Sequence, residues 1–199
     1  MSRNPYVFNA LSAIFLILSA IVFVRFLEYN ELKCNDSGIV LDDPILALLP
    51  LRNFSIPIFS VTYGTIVYGI FLSFKNQLLI GKFMFAYAVM LLLRILTLTI
   101  LPLKAPVDLI FLQDPFLNNL IYPGEIKNDL FYSGHTALVF ILFFLTKKKI
   151  LLAGGITLGF LLMAQRVHYS IDVIGAIPIS FFIVRMVNLL SLKLLKHME

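Results

Sequence analysis

The segment from residue 132 to residue 165 reads YSGHTALVFILFFLTKKKILLAGGITLGFLLMAQ, and it decides the fold class of this chain. Two apolar runs, 132–146 and 150–165, flank three consecutive lysines, Lys147–Lys149. Charges between two apolar runs mark a place where the chain meets water, so the segment is expected to form two helices joined by a tight turn. Apolar runs of this kind are typical of helices that cross a membrane.

Four further apolar stretches extend this interpretation to the whole chain. A membrane-spanning helix needs about 20 mostly apolar residues to cross a hydrocarbon core roughly 30 Å thick. Residues 6–27, 54–74, 83–103 and 171–190 each provide such a run. The first run is too long for a signal-peptide core and lacks a small-residue cleavage site behind it, so it is expected to remain as an anchor. We therefore predict an all-α, integral membrane six-helix bundle, with residues 1–199 as a single transmembrane domain.

The amino-acid composition excludes a water-soluble globular domain. Hydrophobic residues make up 60% of the chain and charged residues 14%, and there is no tryptophan. This leaves too little polar surface to cover a soluble protein of this length. The net charge of +5 is dispersed over short loops instead of forming one stripe, which disfavours nucleic-acid binding. The one cysteine, Cys34, is placed in the first outer loop and cannot form an intramolecular disulfide.

The distribution of basic residues predicts the orientation, because cytoplasmic loops are enriched in lysine and arginine. One side of the membrane receives Arg3, Lys75, Lys82, Lys147–Lys149, Lys193 and Lys196. The other side receives the acidic residues Glu28, Glu31, Asp36, Asp42 and Asp43. Both termini are therefore expected in the cytoplasm, and the connection 104–131 and the turn around residues 166–168 are expected outside. The expected location is a bacterial inner membrane with an outward-facing site, or the lumenal side in a eukaryotic cell.

Two histidines enter the membrane at this outer face. His135 lies at the head of the fourth predicted helix, and His168 precedes the sixth. His168 and Asp172 are spaced i, i+4, which puts them on one face of a helix, where the carboxylate can accept the second imidazole N–H. A carboxylate this close to an apolar helix is costly unless it has a partner. Two simpler interpretations stay open: each histidine is an interfacial or capping residue, and Asp172 forms an ion pair with Arg166.

The dipeptide Ser133-Gly134 suits a bound phosphate group. The first turn of a helix offers unpaired N–H donors and the positive end of the helix dipole, and glycine lets a phosphate come close to the backbone. His135 would then point at the bound group. The alternative is an ordinary serine N-cap followed by a flexible glycine.

These residues form two motifs, Ser-Gly-His-Thr at 133–136 and Gln-Arg-Val-His-Tyr-Ser-Ile-Asp-Val at 165–173. Together they resemble the type 2 phosphatidic acid phosphatase superfamily, and more narrowly its sphingomyelin-synthase-like branch. In that branch an aspartate precedes the first motif, as Asp129 does here. The resemblance implies six helices with cytoplasmic termini and an outward-facing site, as the charge distribution does.

Arg94 is the candidate phosphate ligand outside the two motifs. Arg94, Thr97 and Leu101-Pro102 resemble an Arg-x-x-Thr…Leu-Pro element of the sphingomyelin synthases, with a shorter internal spacing. An arginine inside an apolar helix is expensive in lipid, so it is expected to face the interior or an aqueous cleft. The alternative is a buried ion pair with a distant acid. The Lys-x6-Arg-Pro signature of the phosphatases is absent, and Leu162 stands where they carry an arginine, so phosphate must be held otherwise.

The resemblance implies a mechanism through a phosphohistidine. His168 would attack phosphorus, Asp172 would fix its tautomer, and His135 would protonate the departing lipid alkoxide. The phosphoryl oxygens would be stabilised by Arg94, Arg166 and the main-chain amides of Ser133 and Gly134. No metal or cofactor is expected, because the acids are scattered through loops without the clustered oxygen ligands of a magnesium or calcium site.

The expected function is transfer of a phospho-head-group between membrane lipids, from a phospholipid donor to a lipid alcohol or to water. One alternative is a lipid-phosphate phosphatase that hydrolyses phosphatidic-acid-like or isoprenoid phosphates, which suits the small size of the chain. A second alternative is a non-catalytic membrane scaffold or a transporter. The presence of both histidines and Asp172 disfavours it, and so does the lack of the paired, interrupted helices that are typical of transporters.

Overall fold

The structure is a computed structural model that describes residues 5–114 and 126–197, with side chains up to position 193. The described residues form helices and contain no strand, apart from an isolated β-bridge between Ile39 and Leu103. The helices, in chain order, are α1 Pro5–Ser37, α2 Pro44–Ala47, α3 Ser55–Ser73, α4 Gln77–Ile100, α5 Gly134–Thr146, α6 Lys149–Ala164 and α7 Ser170–His197.

Four of these helices, α1, α3, α4 and α7, are long and apolar enough to cross a membrane. Their outward surfaces carry large apolar side chains, such as Leu11 and Leu18 on α1 and Ile174 on α7, each more than half exposed. Exposing such a large apolar surface to water is unfavourable, whereas contact with the acyl chains of lipids is not. The chain is therefore an all-helical membrane protein.

Helix α5 lies at the centre of the bundle. All residues from Thr136 to Leu142 are buried, and the helix packs against α3, α4, α6 and α7. A helix that is apolar on every side and buried on every side is enclosed by its neighbours. Because other helices surround it, α5 can be as short as its 13 residues, or about 20 Å at 1.5 Å per residue, without exposing its ends to the hydrocarbon.

The lysine run joins α5 and α6 in the tight turn that the sequence indicates. Lys147 ends α5 in the left-handed conformation with φ of 58°, and α6 begins two positions later at Lys149. The two helices then pack side by side as a hairpin. Both therefore point their other ends to the same side of the bundle.

Several helix ends differ from the predicted bounds. Helix α1 continues from the predicted end at 27 to Ser37, α4 begins at Gln77 instead of 83, and α7 continues past 190 to His197. A hydropathy criterion stops at the first charged residues, but glutamate, lysine and leucine continue a helix readily once it has started. As a result Glu28, Glu31 and Asp36 lie on α1 and not in a loop.

The placement of Cys34 in a loop is wrong for the same reason. Cys34 lies on α1 and is fully buried, and its Sγ is 3.7 Å from Oδ1 of Asn30, one turn earlier. The spacing i, i+4 puts both side chains on the inward face of α1. The thiol is therefore shielded from reagents in the solvent.

Three connections meet at one end of the bundle, which we call the site end: 38–54, the described parts of the connection after α4 (101–114 and 126–133), and 165–169. Main-chain Phe54 N–H donates to Oε1 of Gln165 at 2.6 Å, and the Tyr169 hydroxyl donates to the Lys104 carbonyl at 3.0 Å. The short turn after α3 and the lysine turn after α5 lie at the opposite end. The bundle therefore has one end with short basic turns and one end with long, interlocked connections.

Candidate active site

His168 and Asp172 form a hydrogen-bonded pair at the start of α7. His168 Nδ1 lies 3.3 Å from Oδ2 of Asp172, and the same oxygen accepts the main-chain N–H of Tyr169 at 2.9 Å. Both side chains are buried. With the carboxylate as acceptor, the tautomer assigned to His168 carries its proton on Nδ1 and a lone pair on Nε2. The carboxylate thus orients the imidazole and leaves Nε2 available for chemistry.

The ion pair between Asp172 and Arg166, which the sequence left open, is not formed. Oδ2 of Asp172 is used by His168 and Tyr169, and Oδ1 is buried with no hydrogen-bond partner among the described residues. A buried carboxylate oxygen without a partner is energetically costly. Such an atom calls for an explanation, and a catalytic or binding role is one of the usual ones.

The first turns of α5 and α7 are joined directly. The Ser133 N–H donates to the main-chain carbonyl of Asp172 at 3.1 Å, and the Ser133 hydroxyl accepts the N–H of Thr136 at 3.3 Å as the N-cap of α5. Ser133 therefore caps its own helix and ties that helix to the residue that orients His168. Two motifs that lie more than thirty positions apart in the sequence become neighbours in this way.

His135 lies in the first turn of α5, beside the pair. Its ring meets the ring of Phe59 edge to face, with centroids 5.9 Å apart. His168 and Arg94 are close enough to interact with it electrostatically. The ring nitrogens of His135 form no hydrogen bond with the part of the chain that the structure describes. Its donor and acceptor positions are thus available to a bound group.

Arg94 lies inside the bundle, as the cost of an arginine in lipid predicts, and it is paired there. Its guanidinium forms an ion pair with the carboxylate of Asp129 and also donates to the Asp129 carbonyl at 3.4 Å. The rings of Phe23 and Tyr132 lie 5.4 Å and 5.9 Å from Arg94 Cζ. The interpretation of Arg94 as half of an ion pair therefore holds in this structure. The acid is Asp129, which precedes the first motif and is partly exposed.

Arg94 also packs against the N-terminus of α5. A Cβ atom added to Gly134 would collide with Nη1 of Arg94, so only glycine allows this approach. Nε of Arg94 and Oγ1 of Thr136 are buried without a hydrogen-bond partner among the described residues. The start of α5 thus combines the positive end of a helix dipole with a guanidinium that has an unused donor. Both features favour an anion at this place.

Arg166, which the sequence indicated as a phosphate ligand, uses its guanidinium for contacts within the protein. It adopts the left-handed conformation with φ of 60°, and its guanidinium donates to the carbonyls of Leu46 and Leu49 at the end of α2. Basic side chains commonly bind the free carbonyls of a helix C-terminus in this way. The contacts of Arg166 therefore serve α2 and the connection that carries His168.

Sequence reasoning missed Asp43, which links α2 to α7. Its carboxylate accepts the N–H groups of Ile45 and Leu46 as the N-cap of α2, and it also accepts the Ser170 N–H at 2.6 Å. Burial alone would raise the pKa of this carboxyl, but the hydrogen bonds from Ser170, Leu46 and Ile45 outweigh burial and hold the pKa below its ordinary value. The Asp43-Pro44 dipeptide is a helix-start signal that could have revealed the cap, but not the bond to Ser170.

Sequence reasoning also missed the residues that fix Asp129. Its neighbour Asn128 is buried, and its side-chain amide and main-chain N–H both donate to the carboxylate of Glu31, each at 2.9 Å. The Asn30 side chain donates to the Asn128 carbonyl at 3.0 Å. Glu31 lies beyond the predicted end of the first helix at residue 27, so hydropathy gives no sign that it faces this connection from α1. These hydrogen bonds of Asn128 with Asn30 and Glu31 fix the neighbouring Asp129 next to Arg94.

No family model, curated protein or solved structure matches this chain. Within the described residues, no group of three or more histidine, cysteine, aspartate or glutamate side chains is arranged to hold a metal ion. Glu125, one of the acids of the outer connection, lies outside the described residues.

Proposed function

We propose that this chain is a membrane lipid phosphotransferase, which moves a phospho-head-group between lipids through a phosphohistidine at the outer membrane face. The observation that carries the proposal is the His168–Asp172 pair, which the bond from Ser133 N–H to the Asp172 carbonyl holds beside the first turn of α5. An imidazole oriented by a carboxylate is a competent nucleophile. A helix N-terminus next to it is a place where a phosphate group can bind.

The first half-reaction forms the intermediate. Nε2 of His168 attacks phosphorus, and the bond between phosphorus and the lipid oxygen breaks. His135 gives its proton to the departing alkoxide, so the donor lipid leaves as an alcohol. Asp172 stabilises the imidazolium that forms on His168, as the orienting acid of a catalytic triad does.

The second half-reaction transfers the phospho-head-group from His168 to the acceptor. The hydroxyl group of an acceptor lipid attacks phosphorus while His135 takes its proton, and the bond to Nε2 of His168 breaks. His135 thus ends each cycle protonated, as it began. The step needs no oxidant, reductant or further co-reactant.

Arg94 and the main-chain amide of Gly134 are suited to stabilise the phosphoryl oxygens. The main-chain amide of Ser133, which the sequence also indicated as a donor, is already used by the Asp172 carbonyl. Arg94 already binds Asp129, but a guanidinium has five N–H donors, and its Nε is unused in this structure. It can therefore bind an oxygen of the substrate and keep Asp129 as its counterion. Charge-assisted bonds of this type are stronger in a site from which water is excluded.

The lengths of the helices support a lipid as substrate. Helix α5 is about 20 Å long at 1.5 Å per residue, whereas the hydrocarbon core of a bilayer is roughly 30 Å thick. If the lysine turn lies at one interface, the start of α5 lies below the opposite interface. The reacting groups are then at a depth that the head group of a membrane lipid can reach.

The orientation is part of the proposal. We assign the basic turns and both termini to the cytoplasm, following the enrichment of lysine and arginine on that side. With α5 and α6 counted as short spanning helices, the chain crosses the membrane six times. The site end then faces outward, or toward the lumen in a eukaryotic cell.

A lipid-phosphate phosphatase is the second candidate function. The observation that favours it is the partial exposure of His135. Water that reaches this imidazole could replace the acceptor lipid in the second half-reaction. A non-catalytic scaffold or transporter would be favoured if the purified protein neither transfers nor hydrolyses a phospho-head-group.

The test is mass spectrometry of the products made from a phospholipid labelled in its head group. Purified protein in vesicles is supplied with the donor alone, or with ceramide or diacylglycerol as acceptor. Transfer gives a new labelled phospholipid only with the acceptor, and an acid-labile phosphate on His168. His168→Ala removes both, while His197→Ala, the third histidine, retains both.

Two results would contradict the proposal. Release of the free phospho-head-group at one rate with and without acceptor, and no new lipid, would show hydrolysis in place of transfer. Release of inorganic phosphate from phosphatidic acid under the same conditions would then identify the phosphatase. Unchanged activity in His168→Ala would reject the site itself.

A further inference from the structure

An apolar segment outside the long helices lies beside the site. Residues 44–51 read Pro-Ile-Leu-Ala-Leu-Leu-Pro-Leu and contain no polar side chain. Ile45, Leu48 and Leu51 are exposed at 42%, 85% and 45% of their surface. A loop that meets water is normally polar, so this exposure needs an explanation.

The segment is anchored firmly on its other side. Leu46 is buried in a small apolar cluster with Leu103, Leu130 and Tyr169. Tyr169 also receives a hydrogen bond from the N–H of Leu41 at 3.3 Å. Because Leu46 is fixed inward, the neighbouring Ile45 and Leu48 are held outward.

The backbone of the segment is satisfied by protein groups at both ends of α2. The Asp43 carboxylate accepts two N–H groups at the start, and the Arg166 guanidinium donates to the carbonyls of Leu46 and Leu49 at the end. In water, a one-turn helix leaves such groups to the solvent. In contact with lipid, each must find a partner in the protein. A buried arginine and a shared aspartate supply those partners here.

The surroundings identify lipid as the phase that covers the exposed side chains. The chain continues from Leu51 into α3, where Ile56 is exposed at 78%. At the other boundary, Asp43 binds the N–H of Ser170, next to Ile171 of α7, which is also exposed. Both helices are long and apolar enough to cross the membrane. The exposed apolar surface of residues 44–51 thus lies beside the lipid-facing surfaces of α3 and α7. The exposed polar residues Arg52 and Asn53, between the segment and α3, suit the level of the lipid head groups.

We propose that residues 44–51 form an interfacial element that inserts Ile45, Leu48 and Leu51 into the acyl-chain boundary of the leaflet at the site end. Through Arg166 and Asp43, the element holds the connection that carries His168 at a fixed depth in that leaflet. The partner is the lipid bilayer, and the inference does not depend on the proposed reaction.

Because the chain contains no tryptophan, a single introduced indole reports its surroundings without background. Leu48→Trp places the indole at the most exposed position of the segment. Asp36→Trp, at an exposed position in the last turn of α1, is the matched control. Each protein is reconstituted in phosphatidylcholine vesicles with bromine on the acyl chains, near the head group or near the centre, and is also exposed to acrylamide in the aqueous phase.

The expected result is strong quenching of the indole at position 48 by the shallow bromine label, weaker quenching by the deep label, and protection from acrylamide. The indole at position 36 should be quenched by acrylamide and only weakly by either bromine label. Equal accessibility of both positions to acrylamide would overturn the proposal, because the segment would then face water. Protection from both quenchers would also overturn it, because another protein surface, such as a second copy of this chain, would then cover the segment. Should Leu48→Trp not fold, Ile45→Trp provides the same comparison.

Discussion

The main-chain N–H of Ser133 donates a hydrogen bond to the main-chain carbonyl of Asp172 over 3.1 Å. This bond joins the first turn of α5 to the first turn of α7, and each turn belongs to a different sequence motif. Because it uses main-chain atoms, it constrains the two helices without using the side chains of either residue. The Asp172 carboxylate remains available to His168, and the Ser133 hydroxyl remains available to cap α5. The site therefore depends on the packing of two helix N-termini.

The orientation of the bundle can be measured by cysteine labelling. Cys34 is buried and should react slowly, so it provides a low background. A cysteine at the exposed position 36 (Asp36→Cys) should be labelled by an impermeant thiol reagent added outside intact cells. A cysteine in the lysine turn (Lys148→Cys) should be labelled only after the cells are opened. The reverse pattern would place the site in the cytoplasm.

Replacing Asp172 by asparagine should test the orientation of the His168 imidazole without disturbing the fold. Asp172→Asn keeps the shape, but the amide cannot stabilise the imidazolium on His168 and favours the wrong tautomer. The single-turnover rate should fall on the order of 10⁴-fold, by analogy with the orienting acid of a catalytic triad. Asp108→Asn, in an exposed part of the outer connection, is the control and should retain the wild-type rate. A rate loss below tenfold would show that the carboxylate does not orient a nucleophile.

Gly134→Ala should damage both stability and activity, because the added methyl group would take the place of the Arg94 guanidinium. Forcing a buried group aside typically costs about 1–3 kcal/mol. At Gly64, in the middle of α3, an added Cβ would meet nothing within 4 Å. Gly64→Ala should therefore leave activity unchanged and gain up to about 0.5–1 kcal/mol from helix propensity. Unfolding in detergent measures both, and equal stability of the two variants would contradict the close approach of Arg94 to α5.

Asp43 should make the site end sensitive to acid. A carboxyl whose pKa is lowered by folding stabilises the folded state above its unfolded pKa, and that contribution is lost as the pH falls through the folded pKa. The ordinary pKa of 3.8 marks the upper edge of the window. Wild-type protein should lose stability below this pH more steeply than Asp43→Asn, which lacks the ionisable group. Asp42→Asn, at the exposed neighbouring position, should follow the wild type. Identical acid limbs for wild type and Asp43→Asn would show that the bond to Ser170 contributes no stability.

Local features of the sequence were enough to predict an all-helical membrane protein, and they singled out the two motifs that the structure brings together. Hydrophobicity over about 20 residues decides whether a segment can lie in lipid, and it needs no knowledge of distant contacts. The lysine turn after α5 and the pair of His168 and Asp172 are likewise short-range in sequence. The pair does not lie on one helix face as the spacing indicated, because His168 lies in the bend before α7 and only Asp172 lies in the first turn of that helix. The hydropathy pattern did not predict the end of α1. Charged residues end an apolar stretch of sequence, but the helix continues through them because Glu31 finds a hydrogen-bond partner in Asn128.

The tertiary structure alone decided which partner each charged group has. Arg94 meets Asp129, Arg166 caps α2, and Asp43 reaches Ser170 across more than a hundred positions of the chain. In an apolar surrounding, a charge binds whichever counter-group the packing brings within reach, because leaving it unpaired is too costly. Residue type and spacing determine that a partner is needed. The packing of the helices determines which residue it is.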